Sequence, residues 1–299
     1  MAGLACVDSE RLETPVAGSI PAVVGPVRMN YENKCREALM TVNPQLYMDE
    51  DSPARQGEVN KRIALVWIYL WGYSTAALLQ LLLRHQGMSW TTGAIKNGWL
   101  RKTGITARDR IKVVTLTTKG VAWVEQQVDE IFKYSEIEPH RIAPQTIWHN
   151  LLAQKMTVLD ARAGEVKAYR TERQEAAKSL RGQKKPDVVW YDKEGLRVGV
   201  EIELNAKWDQ RFDEFIASTI AALSPGPEGQ PARFRKFVVI TTSRAIALRY
   251  AAAFEPDKPL RIWRSISKSE SVVDRTIEVP EWVRERIEFR VIKETGEAQ

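Results

Sequence analysis

Apolar and polar positions follow different rhythms along this chain, and the changes of rhythm divide it. Residues 1–56 hold no sustained period; their prolines and glycines and the break at Asp49, Glu50, Asp51 and Pro53 predict a mobile arm, with one short helix near 33–40. From Glu58 to Leu70 the period is helical, with Ile63, Val66, Trp67 and Leu70 three and four residues apart. Ser74 stands where it would cap a second helix carrying Ala77, Leu78, Leu81 and Leu82, closed by Gly87. Ser89 would cap a third, through Trp90, Ala94 and Trp99. Lys112 to Leu116 alternates as a strand, and Thr117 would cap a fourth helix with Val121, Val124, Val128, Ile131 and Phe132 on one face.

The rhythm changes again after a Pro-containing stretch, 135–144, which reads as a linker. Gln145 to Arg162 carries the stripe Ile147, Leu151, Val158 and Leu159 of a helix. Asp187 to Tyr191 and Leu196 to Leu204 are strands around a turn containing Gly195. Phe212, Phe215, Ile216, Thr219, Ile220 and Leu223 mark one face of a helix over 209–223. A loop over 224–231 leads to a buried strand at 237–241, a helix at 243–254, a strand at 260–263 and an edge strand at 289–292. Alternating elements of this kind predict a mixed α/β layer over 145–299.

The chemistry is concentrated in the hairpin. Val198, Val200, Ile202 and Leu204 alternate with Gly199, Glu201 and Glu203, so both glutamates project from one side of a strand. With a three-residue loop of Lys193, Glu194 and Gly195, Asp192 faces Leu196 and Asp187 comes opposite Glu201, on the same face. Like charges so placed repel unless a proton or a cation lies between them, and a hard divalent ion with oxygen ligands is the usual remedy. Solvated surface carboxylates are the competing reading. The apolar run around the acids, Lys207 four residues beyond Glu203 and the amphipathic helix that follows weigh against it.

Charge changes the picture for the first half. The net charge is +6 with pI near 9.2, which favours a polyanionic partner. Lys96, Arg101, Lys102, Arg108, Arg110, Lys112 and Lys119 crowd one stretch in which Asp109 is the sole acid. The element order there looks like a winged helix-turn-helix over 57–134. In that arrangement Thr91, Thr92, Lys96 and Asn97 are candidates for base or backbone contacts to DNA, and Arg101, Lys102, Arg108, Arg110 and Lys112 for phosphates. A solvated face, or a winged helix that binds protein, would carry the same pattern. Two cysteines, Cys6 and Cys35, make neither a disulfide framework nor a metal knuckle and fit a reducing cytoplasm. Ile63 to Leu83 lacks charge, but Gly72, Tyr73 and Ser74 interrupt it and predict two helices rather than a membrane span.

Asp187 followed by Glu201 and Glu203 resembles the PD-(D/E)xK nuclease signature, whose αβββαβ core binds magnesium. The combination with an upstream winged helix is similar to the replication-relaxation family and to MobC-type plasmid mobilisation relaxases, over about residues 58–223. The resemblance implies an α/β (α+β) chain, a winged helix followed by a restriction-endonuclease-like domain, acting as a metal-dependent DNA nickase or relaxase. Asp187 and Glu201 would ligate magnesium or manganese. The family's lysine two residues after the acid is Glu203 here, and Lys207 would supply that cation. His149 is similar to a histidine ahead of the nuclease core, and Glu172 matches an acid ahead of the aspartate strand. Lys184 and Lys185 would hold the scissile phosphate. Expected partners are double-stranded DNA at a plasmid origin, other mobilisation or replication proteins, and a second copy of the chain, with no membrane. The alternative is a DNA-binding regulator that keeps a degenerate nuclease fold, for which the glutamate at 203 is the strongest support.

Overall fold

A computed structural model of the chain describes residues 53–84, 88–104, 112–177, 183–267 and 270–292. The expected arm up to Ser52, both cysteines, Gly87, Arg108 and Arg110 lie outside the described residues. The architecture is mixed α/β: a helical unit with a two-stranded hairpin leads into a five-stranded sheet covered by helices on both faces.

Helix α1 (Pro53–Trp71) is apolar on every side along its second half, with Leu65, Trp67, Ile68 and Tyr69 fully buried. That explains the uncharged run: the helix is the centre of a core, not the wall of one. No helix among the described residues is long and apolar enough to cross a membrane. At Gly72 the chain turns with φ +87°, and a Cβ there would meet the Glu136 carboxylate at 2.7 Å, so glycine serves both the turn and the approach. Helix α2 (Ala76–Leu83) is capped by Thr75, whose hydroxyl accepts from Leu78 N at 3.1 Å. Ser74, the expected cap, is used elsewhere. Its backbone pairs with Val114, and its buried hydroxyl donates to Gln154 Oε1 at 2.8 Å.

Helix α3 (Ser89–Lys96) ends three residues short of Trp99, and strands β1 (Leu100–Gly104) and β2 (Lys112–Leu116) form the antiparallel hairpin, Leu100 opposite Leu116. Thr117 caps α4 (Thr118–Glu125) as expected, accepting from Gly120 N at 3.1 Å. The helix stops at Glu125, so Val128, Ile131 and Phe132 lie beyond it, and Ile131 is exposed.

The segment expected as a linker is built into the body. It runs as three single 3₁₀ turns between the buried Tyr134 and the start of the next helix, with Ile142 buried on the way. Tyr134 Oη donates to Gly72 O and accepts from Leu116 N, while Glu136 pairs with Arg173. Helix α5 (Ile147–Arg162) carries Gln154, fully buried, which accepts from Trp67 Nε1 at 3.0 Å and from Ser74 and donates to Tyr73 O at 2.9 Å. Both ends of this amide are bonded, which is what its burial requires. One apolar cluster therefore runs from α1 through α5 to the sheet without a gap.

Strand β3 (Ala168–Thr171), helix α6 (Glu172–Ala176), strands β4 (Val188–Tyr191) and β5 (Arg197–Ile202), helix α7 (Asp209–Leu223) and strand β6 (Lys236–Thr241) follow in order. The main sheet is completed by β9 (Ile287–Val291), and its order is β3-β4-β5-β6-β9; β3, β4 and β5 are antiparallel neighbours, and β6 runs parallel to β5 and to β9. Val188, Trp190, Val198, Val200 and Ile202 face α5, whereas Val189, Phe237 and Val239 face α7 and helix α8 (Arg244–Ala253). The expected strand at 260–263 is β7 (Pro259–Ser265), which joins β8 (Ser271–Glu278) in a separate ribbon rather than the main sheet.

Candidate functional site

The hairpin of β4 and β5 has the register that alternation and turn chemistry predict. Val188 pairs with Val200, Asp192 N donates to Leu196 O at 3.0 Å, and Gly195 takes φ +79° in the loop. Glu201 and Glu203 fall on the α7 side of the sheet. Asp187 stands one residue before β4, where its N–H donates to Val200 O and its Oδ2 accepts from Ile202 N at 2.7 Å. The carboxylate thereby takes over a ladder position at the strand end, within reach of α5.

Three acid–cation pairs result. His149 Nε2 lies 3.1 Å from Asp187 Oδ2, and His149 Nδ1 is 3.1 Å from Asn150 Oδ1. Burial pulls the imidazole pKa down, but the hydrogen bond and charge of Asp187, helped by Asn150 and Glu172, outweigh it and raise it to about 9. Lys184 Nζ lies 2.9 Å from Glu201 Oε1. That oxygen is buried without a well-formed hydrogen bond, and burial, reinforced by the negative charges of Asp187 and Glu203 and opposed by Lys184, pushes Glu201 up to about 8. Lys207 pairs with Glu203, whose other oxygen is 3.4 Å from Tyr250 Oη. Between the two lysines lies Phe215, its centroid 4.1 Å from Lys184 Nζ and 4.7 Å from Lys207 Nζ. Burial raises the Tyr250 phenol to about 12, and its oxygen accepts from Lys207 N at 3.0 Å, fixing the strand exit that carries Lys207.

Cavities open on either side of the His149–Asp187 pair. One of about 410 Å³ is lined by Asp187, Glu172, Arg173 and Glu136; the other, of about 520 Å³, by His149, Glu203, Lys207, Trp208 and Arg211. Glu172 lies in the first, where partial burial, and then the charge of Asp187, raise its pKa. Lys184 is committed to Glu201 rather than turned outward toward a phosphate, while Lys185 is exposed.

Among the described residues, no three His, Cys, Asp or Glu side chains stand grouped to hold a metal ion. Asp187 and Glu201 stand at the same strand end, but the Asp187 carboxylate is bonded to Ile202 N and His149 and the Glu201 carboxylate to Lys184; the Glu201 oxygen that is buried and poorly satisfied is the one feature that would suit a cation. Magnesium asks for no more than one or two carboxylates when phosphate and water complete the shell.

In the helical unit the candidate contact residues separate. Thr92, Lys96, Asn97, Lys102 and Lys112 are exposed. Thr91 is buried and faces the core, because α3 turns it inward, so the assignment of Thr91 to a groove contact is corrected. Arg101 is half-buried, its Nε directed to Thr115 Oγ1 at 3.4 Å, and is not an outward phosphate ligand here. Trp90 and Trp99 pack against the core, Trp99 from beyond the end of α3, where it meets Trp123 edge-on at 6.1 Å. Sequence reasoning missed Tyr250 and Trp208. Tyr250 is hidden in a helix face of ordinary period, whereas Trp208 is an isolated aromatic among polar residues, a signal open to reading. Comparison with known protein families, with curated proteins and with solved structures finds no match.

Proposed function

We propose that this chain is a DNA-processing protein of the mobilisation or replication-relaxation kind, whose helical unit docks on duplex DNA and whose sheet unit cleaves a phosphodiester with magnesium or manganese. The observation that carries the reading is the strand end where Asp187, just before β4, and Glu201 and Glu203, at and just past the end of β5, gather, with a histidine and two lysines bonded to the three acids. The order helix, three antiparallel strands, helix, parallel strand supports it, resembling the αβββαβ order of PD-(D/E)xK nucleases with the short helix α6 inserted between β3 and β4. Three helices, a hairpin and a helix with exposed lysines support the winged-helix reading of the first unit.

Asp187 and Glu201 would hold the metal, which when bound polarises the phosphodiester and acidifies an attacking water. His149, held by Asp187 and Asn150, donates a hydrogen bond toward Asp187 and keeps its carboxylate oriented. Lys207, with Lys184 beside it, would supply positive charge for the phosphate oxygens. Glu203 and Tyr250 hold Lys207 in place.

A second reading is a non-catalytic DNA-binding regulator. It is favoured by Glu203 at the usual lysine position and by each hairpin acid already having a protein cation. Nicking of supercoiled DNA carrying candidate origins, with magnesium or manganese, separates the two. Under the first reading, wild type yields open circles and Asp187→Ala binds the DNA without cutting it; if both proteins bind and neither cuts, the regulator reading stands.

A further inference from the structure

The larger cavity carries a feature that metal chemistry does not use. Trp208 lines it and is 64 % exposed, although it belongs to no helix or strand. An exposed indole usually lies loosely on the surface; this one is clamped. The Arg249 guanidinium lies 4.0 Å from its ring centroid and 4.2 Å from that of Phe212, and Arg249 Nη1 donates to Lys207 O at 2.6 Å. The backbone contributes too. Trp208 is extended, at φ −129° and ψ 157°, and Asp209 immediately takes φ +45°. A non-glycine residue persists in that conformation where its surroundings over-determine it. The sharp turn between strand exit and α7 is what presents the ring outward.

We propose that this cavity binds single-stranded DNA, a base stacking on Trp208 while Lys207 and Arg211 meet the adjoining phosphates. Stacking on a rigid aromatic is favourable for every base, and a cationic wall beside it follows the backbone; together they define a sequence-tolerant single-strand site. The cations lining the cavity outnumber its one carboxylate, Glu203, which Lys207 already engages. The inference rests on the DNA reading above but not on its cleavage step. It adds a place for the unpaired strand beside the acids, distinct from the duplex-facing lysines of the helical unit.

The test uses the full chain and fluorescein-labelled 12-mers: oligodeoxythymidine, an abasic strand of the same length, and a duplex as control. Fluorescence anisotropy should show oligodeoxythymidine bound by wild type and roughly tenfold more weakly by Trp208→Ala, the size of one base stack. Trp208→Phe, which keeps a ring, should retain most of the affinity, and wild type should hold the abasic strand as weakly as Trp208→Ala holds thymidines. Equal binding of the thymidine strand by wild type and Trp208→Ala, equal binding of abasic and thymidine strands, or no single-strand binding by wild type would overturn the proposal. Plasmid nicking run in parallel keeps the two readings apart. Loss of strand affinity in Trp208→Ala without any nicking by wild type supports the strand site and removes the cleavage reading; nicking with undiminished strand affinity does the reverse.

Discussion

The helical unit and the sheet unit treat charge in opposite ways. In the first, Lys96, Lys102 and Lys112 extend into solvent from a core built around Trp67 and Tyr69. In the second, charge is taken inside and matched: Glu201 with Lys184, Glu203 with Lys207, Asp187 with His149, and the buried Glu175 with Arg170 and Arg197. An exposed lysine costs nothing to keep and is tolerant of position. A carboxylate removed from water has to find a specific partner or a proton. Apart from Arg101 and Lys61, which the helical unit tucks against Thr115 and between Trp99 and Trp123, the charges fixed in place are in the sheet unit, and a function that needs charges at fixed points belongs there, while the outward lysines of the helical unit suit a partner read by its overall field.

The strongest way to break this contrast is to remove one buried cation. Lys184 and Glu201 side chains are 11 % and 8 % exposed. Lys184→Met leaves the glutamate without its partner and should lower stability by about 1–3 kcal/mol, read from the urea midpoint at pH 9, with a smaller loss at pH 7, where Glu201, raised to about 8, is already largely protonated. The double variant Lys184→Met with Glu201→Leu should recover most of the loss, because an apolar pair needs no partner. A loss below about 1 kcal/mol at pH 9 for the single variant would put the pair in the class of surface ion pairs and erase the distinction between the units.

The same contrast explains what is legible in the sequence. Period and alternation report which side of an element is apolar, so the helices around Trp67 and Phe215, the hairpin register from Asp192–Leu196 back toward Asp187, and the strand at 237–241 can be read directly. Pairing across long separations cannot. That Gln154 joins Trp67 and Ser74, drawing Ser74 away from its expected cap role, depends on how α5 lies on α1 and has no local signature. Likewise Thr91 and Thr92 are equal in composition, and only the phase of an eight-residue helix decides that one is buried. The linker expectation fails for a related reason: Pro and mixed charge suggest a joint, but Tyr134 at its start and Ile142 within it are anchored in two apolar clusters. At the site, spacing finds the three acids and Lys207, while Lys184 carries no local mark that it serves Glu201 rather than a phosphate.

A smaller effect sharpens the comparison through pH. The His149 pKa lies at about 9 in the folded chain against the ordinary 6.5, so the folded state binds the proton more tightly. Its contribution to stability is complete below about pH 6.5 and fades as the pH rises through about 9. Glu201, raised to about 8, has the same sign over a lower window, beginning near pH 4.5, because folding favours its protonated form. Thermal melts in metal-free buffer should therefore show the wild-type midpoint falling between about pH 6.5 and 9. His149→Gln should flatten that part of the slope and leave the Glu201 part. An unchanged slope would show that the His149–Asp187 pair is not formed in solution.

The smallest effect on stability is expected in the helical unit, and there the informative readout is binding. Lys102→Ala and Lys112→Ala remove exposed side chains on neighbouring strands and should each change stability by less than about 0.5 kcal/mol. If they face duplex phosphates, each should weaken binding to all sequences alike and reduce the slope of log affinity against log salt by about one. Arg101→Ala tests the converse: its guanidinium is turned into the hairpin, so it should cost stability and leave the slope nearly unchanged. Slopes unaltered by the two lysines would mean that the outward cations are solvated charge only, and that this unit docks on protein through its helices instead of reading DNA.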